Sequence, residues 1–427
     1  MSKNENLHAA KVAKDDEYYT RLCDIESQMN AFIEYDKDVF RDKTVLCPCD
    51  DPEWSNFTKY FVLNFERLGL KKLISTSYAP GAANKQISLF ESESNNFDKE
   101  KHETHGRIFI LDRDKLKEKD MDRLVPEDLS WDYLEGDGDF RSEEVTKLRD
   151  EADILASNGP FSLFRQMTAW LMEKEDLKFA IIGSQNAITY KEVFPLIKEG
   201  KIWSGSYHVA EFIQPDGKIK KFGNIQWFTN IDFHKRHEEL TYMTMEDNLR
   251  YNDKLRKKFL KDYGKLEYPH YDNYDAIEVP FCDAIPSDYT EEKEVTAEEL
   301  QKLVDQGFKI EILSSAEEIA EAKIPEEVLD RVSVSAETAT DRQTDRQKER
   351  VIIRVQNPVM GVPITFLDKF NPSQFEIVGS SLQLATPIRE VAKPGDVYQQ
   401  GGNACYVRVG THELKRLYDR ILIRSLQ

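Results

Sequence analysis

Four residues, Asn158-Gly159-Pro160-Phe161, stand between an apolar run and a helical pattern. The Asn158 side-chain oxygen is an acceptor with two lone pairs. The Gly159 carbonyl beside it is a second acceptor. Two oxygens converging on one point suit an NH2 group. An aromatic amine is a poor nucleophile because its lone pair is delocalised into the ring. Hydrogen bonds from both N–H groups to fixed oxygens push the nitrogen toward tetrahedral geometry and free the lone pair for an electrophile. Phe161 supplies a face on which a flat ring stacks, and Pro160 fixes the turn that aims these groups.

The electrophile needs its own cradle. Asp50-Asp51-Pro52 follows an apolar run, and its acids suit a cationic or hydroxyl-bearing ligand. Asp139-Phe140, in "LEGDGDFRS", sets a carboxylate beside a ring. A carboxylate accepts from an adenine amine, and an aromatic ring packs against a purine. Together these needs fit S-adenosylmethionine, whose sulfonium methyl an activated amine attacks in line. Positioning and desolvation carry such a reaction without a metal.

Alternating patterns predict the elements that hold these groups. "KTVLCPCD", "KKLISTSY", "GRIFILD", "DILAS" and "KFAIIGS" read as strands. "NFTKYFVLNFERLGL", "EEVTKLRDEA", "FSLFRQMTAWLMEK" and "TYKEVFPLIKEG" read as helices, the first ending near Gly69. Such alternation predicts an α/β fold with a mostly parallel sheet covered on both faces. Ligands of such sheets sit at the carboxyl ends of the strands, where Asp50–Pro52, Asn158–Phe161 and Gly183–Asn186 fall. Lys201–Phe233 then alternates and turns at Pro215-Asp216-Gly217, which predicts antiparallel strands. From Asp283 to about Gln356 the chain is charged, an expected insertion or linker, partly ordered. "VIIRVQ" reads as a strand within it.

The 427 residues are 40% hydrophobic and 11% aromatic, so the chain can bury a core and is not of the disordered class. No apolar run reaches membrane-spanning length. The N-terminus is polar and lacks the apolar block of a signal peptide, so a cytoplasmic location is expected. Five cysteines are too few and odd in number for a disulfide framework, and Cys47-Pro48-Cys49 has no second pair for zinc. A net charge of −19 argues against a nucleic-acid partner. Much of the acid lies between Asp288 and Glu337, however. Basic clusters remain at Lys218–Lys221, His234–His237, Arg256–Lys258 and Lys415-Arg416.

The chain resembles the EcoRI-type family of adenine-specific DNA methyltransferases. The resemblance runs in order through "DDEYYT", "CDDPEWSNFTKYFVLNFERLGLKKL", "GDGDFRS", "NGPFSLFR", "IIGSQNAITYKEVFPLIKEGKIW", "WFTNIDF" and "MGVPITFLDKFNPSQFEIVG". It implies a Rossmann-like, S-adenosylmethionine-dependent catalytic domain and a C-terminal target-recognition region. It also implies methyl transfer to adenine N6 in double-stranded DNA. The family's catalytic Asn-Pro-Pro-Phe falls on Asn158, Gly159, Pro160 and Phe161. Its N-terminal cofactor motif falls on Glu17, Tyr18, Tyr19 and Thr20. Asp50, Asp51 and Pro52 occupy the loop after the first strand, without the glycine-rich signature common in methyltransferases. Asp139 and Phe140 match the motif expected near the cofactor adenine. The boundaries expected are 1–245 for the catalytic domain, 246–285 and 357–427 for target recognition, and 286–356 for the acidic insertion. A monomer working beside a restriction endonuclease is implied. Gly159 replaces the family's proline, so a catalytically weakened or silent DNA-binding homologue stays open. An enzyme acting on RNA or a protein amide stays open as well.

Overall fold

The structure is a computed structural model. It describes residues 19–79, 97–116, 131–214, 217–239, 257, 277–278, 290–305, 309–335, 350–356, 359–381, 392–398, 406–409, 412–416 and 419–426. The chain divides into two compact units, Met1–Glu238 with Leu367–Lys369, and Glu239–Phe366 with Phe370–Gln427.

The first unit is built on an eight-stranded sheet. Its strands are β2 (Thr44–Cys47), β3 (Lys72–Ser77), β4 (Arg107–Asp112), β5 (Asp132–Tyr133), β6 (Ile154–Ser157), β7 (Lys178–Ser184), β8 (Trp203–His208) and β11 (Ile225–Thr229), in the order β5-β4-β3-β2-β6-β7-β11-β8. The four central strands β3, β2, β6 and β7 pair in parallel. β4 and β11 run against them. β5 and β8 pair antiparallel to those two and so regain the common direction. Six of the eight strands therefore point one way, and the fold is mixed α/β with a mostly parallel sheet. The expected antiparallel stretch divides between two sheets. β8 and β11 extend the large one, while β9 (Glu211–Ile213) pairs with β10 (Ile219–Lys221) and with β1 (Tyr19–Thr20) in a small one.

The helices begin where side chains satisfy the free N–H groups of the first turn. Ser55 caps α2 (Asn56–Leu63) by accepting from the Phe57 N–H, and Ser142 caps α3 (Glu143–Glu151) by accepting from the Val145 N–H. The helix expected to run on to Gly69 is broken at Asn64, whose side-chain amide donates to the Tyr60 carbonyl at 2.8 Å. A short turn, Phe65–Leu68, follows and ends on Gly69 at φ 64°, a left-handed cap. The helix expected over Thr189–Gly200 is only Phe194–Lys198, because Pro195 has no N–H to extend hydrogen bonding toward the preceding turn. α1 (Leu22–Tyr35) buries Ile25, Met29 and Phe32. They join one apolar cluster with Phe57, Phe61, Val45, Ile182 and Trp227.

In the second unit the described part of the charged stretch is ordered. β12 (Thr290–Val295), β15 (Val351–Gln356), β13 (Lys309–Ile312) and β14 (Ser333–Val334) form one sheet. Val295, Leu300, Val304, Ile312, Val328 and Ile353 make its core. Two further sheets gather the remaining described strands of this unit. The residues 246–256 and 258–276, at the expected start of the recognition region, lie outside the described residues.

Candidate active site

The carboxyl ends of β2, β3 and β6 lie side by side, because β2 is the parallel neighbour of both others. A cavity of about 370 Å³ opens there. Of the residues expected from sequence, Tyr19, Thr20, Asp50, Asp51, Asp139, Phe140, Asn158 and Pro160 line it. Gly159, Phe161 and Pro52 do not belong to the lining, and Tyr18 lies outside the described residues.

Asn158 follows β6 directly, and its Oδ1 is buried. Phe161 opens a short 3-10 turn, is half-buried, and stands edge-on to Phe212 with ring centroids 6.2 Å apart. Gly159 does not occupy the left-handed region. A Cβ there would meet only the Met167 methyl, at 2.9 Å. The backbone thus does not demand glycine at the position where the family carries proline.

Asp50 is 4% exposed. Ser55 Oγ donates to its Oδ1 at 2.7 Å, and Ser157 Oγ lies 2.6 Å from its Oδ2. The Asn158 backbone N–H donates to the same carboxyl group. Burial raises its pKa to about 7 against the pull of these hydrogen bonds, and the neighbouring Asp51 carboxylate adds to the rise. Its backbone is held as well: Asp50 N–H donates to the Thr76 carbonyl, and Ser75 Oγ donates to the Asp50 carbonyl.

Asp51 makes a turn. Its Oδ1 accepts from the Glu53 and Trp54 N–H groups, and its Oδ2 is 3.6 Å from the Arg107 guanidinium. Arg107, on β4, is 0% exposed. It also reaches Glu53 at 3.2 Å and His102 Nδ1 at 3.1 Å, and it lies over the Trp131 ring at 4.4 Å. Trp131 Nε1–H closes the group by donating to Glu53 at 2.7 Å. This buried cluster ties the loop after β2 to β4, two strands away in the sheet.

Asp139 is half-buried and sits below the usual carboxylate range, first through its hydrogen bond from the Arg141 side chain. Oδ1 accepts from Arg141 N–H and Nε, and Oδ2 from a terminal guanidinium nitrogen. An ionised carboxylate has about four lone-pair sites, so acceptor capacity remains on Oδ2. Phe140 is buried against Trp170, with centroids 5.4 Å apart. Gly138 holds this loop against β3: at φ 79°, a Cβ there would stand 2.1 Å from the Ser77 carbonyl oxygen.

Sequence reasoning missed Ser55, Ser157, Arg107, Arg141, Tyr78 and Gly138. Ser55 carried a legible signal, a capping residue before a helical run. Arg107 carried none, because its partners come from distant segments. Tyr78, 48% exposed on the cavity wall, stands just past β3, where no acid ends the strand.

The lining fits S-adenosylmethionine in size and chemistry: the volume lies within the ~300–1,000 Å³ of small-molecule sites. Its carboxylates and aromatic rings suit a cation, a hydroxylated ring and a purine. Among the described residues no cluster of His, Cys, Asp and Glu is arranged to hold a metal ion, and no helix is long and apolar enough to cross a membrane.

The family model described as "Adenine-specific methyltransferase EcoRI" matches residues 6–356 and 356–426. Type II methyltransferase M.EcoRI of Escherichia coli is 36% identical over 394 residues, covering 88% of this chain and 89% of the relative. Type II methyltransferase M.MgeORF184P of Mycoplasma genitalium is 26% identical over 95% of this chain and 97% of its own. Type II methyltransferase M.MpnI of Mycoplasma pneumoniae is 26% identical over 94% and 96%. No solved structure matches the chain.

Proposed function

The chain belongs to the EcoRI family of adenine-specific methyltransferases, and from that premise we infer how its cavity works. It is a DNA adenine methyltransferase. S-adenosylmethionine supplies the methyl group from its sulfonium. The observation that carries the assignment of the site is that Asn158 and Asp139 line one cavity at the carboxyl ends of the parallel strands.

Asn158 Oδ1 and the Gly159 carbonyl accept the two N–H bonds of the target amine and raise its nucleophilicity. Asp139 accepts from the adenine amine of the cofactor, and Phe140 packs beside that purine. Tyr19, Thr20 and Asp51 line the same cavity. The target adenine must leave the duplex, since its amine is paired inside the helix. Phe161, set at its angle by Phe212, then offers a ring to the extruded base. The catalytic unit is Rossmann-like, and target recognition belongs to the C-terminal part. A cytoplasmic monomer acting beside a cognate restriction endonuclease completes the reading, by analogy with relatives named Type II methyltransferases.

The test is expression in a host without adenine methylation, followed by sequencing for N6-methyladenine. The wild type marks one recurring sequence. Asn158→Ala marks none, yet still binds S-adenosylhomocysteine within about threefold of the wild type, because its change is local. Transfer at the normal rate by that variant refutes the assignment.

A further inference from the structure

We propose that Asp50 is a positioning residue that fixes Asn158, and not a group that meets the cofactor's positive charge. The proposal rests on the methyltransferase reading of this cavity. An acid in the loop after the first parallel strand invites the opposite view, that it faces the sulfonium or the ammonium. The geometry points elsewhere.

Asp50 is only 4% exposed, although it belongs to the cavity lining. Its oxygens face inward on three donors. Ser55, at 2.7 Å, begins the helix on the cofactor side. Ser157, at 2.6 Å, ends β6. The backbone N–H of Asn158 is the third. A carboxylate offers about four lone-pair sites, so three are already directed at the protein. One carboxyl group thus bridges the helix cap of one strand–helix unit to the catalytic turn of the next.

Ser157 extends the bridge. Its hydroxyl also meets the Pro48 carbonyl, which can only accept. The serine has one proton for two acceptors. With a proton on Asp50 Oδ2, the chain Asp50 O–H to Ser157 O–H to Pro48 carbonyl is complete. Without it, Ser157 must choose. Either way the Asn158 backbone is tied through Asp50 to the segment that closes β2. The side chain of Asn158 needs its oxygen aimed within a fraction of an ångström, and the residue before it and its own N–H are both anchored at this point.

The test uses the full-length protein with Asp50→Ala, Asp50→Asn and Ser157→Ala. Dissociation constants for S-adenosylmethionine, which carries the sulfonium charge, and S-adenosylhomocysteine, which lacks it, are measured by calorimetry without DNA. Single-turnover methylation is measured at saturating cofactor on plasmid DNA from a host lacking adenine methylation. Loss of the bridge predicts a rate about a hundredfold lower in Asp50→Ala, the size expected for a misplacement near 1 Å. The ratio of the two dissociation constants stays within about twofold of the wild type in every variant, because no charge contact is lost. Asp50→Asn, which keeps the shape, retains more of the rate than Asp50→Ala. Ser157→Ala cuts the bridge from the catalytic side and gives the same split, should Asp50→Ala not fold. An Asp50→Asn protein that loses about tenfold in affinity for the charged ligand alone overturns the proposal. So does an Asp50→Ala protein with the wild-type rate. A wild type that neither binds S-adenosylmethionine nor marks DNA overturns the parent reading, and that arm is read before the variants.

Discussion

The buried acid at Asp50 makes folding depend on pH in a direction that can be worked out. An aspartic acid in the unfolded chain titrates near 3.8, and in the folded protein burial carries Asp50 to about 7. Below about 4 the group is protonated in both states and favours neither. Between those values the native state holds the proton and the unfolded state has released it. Stability therefore falls as pH rises through this window, and reaches its lower plateau above pH 7. A difference of about three units corresponds to about 4 kcal/mol in all. Roughly 3 kcal/mol of this lies between pH 5 and 8.5, since part has been lost by pH 5. Asp50→Asn cannot ionise and escapes the decline. Urea unfolding of the two proteins at pH 5, 6, 7 and 8.5 gives the difference directly, and groups common to both, Asp51 and Asp139 among them, largely cancel. The Asn variant should gain about 3 kcal/mol on the wild type across that range. A difference constant to within about 0.5 kcal/mol would refute the reasoning, because it would mean that Asp50 ionises in the fold as readily as in water.

Four further substitutions bear on the architecture of the cavity. Arg107→Leu leaves Asp51 and Glu53 without their buried cation and should cost about 3–5 kcal/mol in urea unfolding; a cost below about 1 kcal/mol would place the cluster among solvent-screened surface pairs. Gly138→Ala puts a Cβ 2.1 Å from the Ser77 carbonyl oxygen at a left-handed φ. It should displace Asp139 and weaken S-adenosylhomocysteine binding by at least about tenfold in calorimetry; unchanged binding would separate this loop from the cofactor. Gly159→Ala meets only the flexible end of Met167 and should keep methylation within about threefold of the wild type. Gly159→Pro restores the family residue and keeps the carbonyl; a fall beyond about tenfold in its single-turnover rate would show that the turn needs glycine.

The sheet was legible because its signals are local. Thr44–Cys47, Ile154–Ser157 and Lys178–Ser184 are short apolar runs bounded by polar turns, and each is a strand of the parallel centre. Strand direction was less legible. Arg107–Asp112 reads like its neighbours in composition, yet pairs antiparallel to β3, since direction depends on the connection and not on the strand's own residues. Helix length failed at Asn64 and Pro195, where single side-chain and backbone hydrogen bonds outrank periodicity. For the site, the sequence located Asn158 and the acids at 50 and 51 near the strand ends, and singled out Asp139 by its type and its neighbour Phe140. It could not assign their partners: Asp50 looks like any loop acid until Ser55 and Ser157, 5 and 107 residues away in the chain, are found on its two oxygens.

The loop after β2 lacks the glycines that usually let backbone approach a nucleotide-like cofactor, and the structure suggests how it manages the turn without them. Cys49 takes the left-handed conformation itself, at φ 66°, an unfavourable state for a residue with a Cβ. Such a state persists only where the surroundings over-determine it. Immediately after it, the Asp50 N–H, carbonyl and carboxyl are all bonded. The Asp51 carboxylate closes the next turn, and Ser55 caps the helix beyond. Arg107 holds the far side through Asp51 and Glu53. A glycine-rich loop reaches its shape through freedom; this one reaches it through cross-linking. Its rigidity follows from the same contacts that bury Asp50. Removing any one of them should therefore disturb the turn at Asn158 as well as the loop itself.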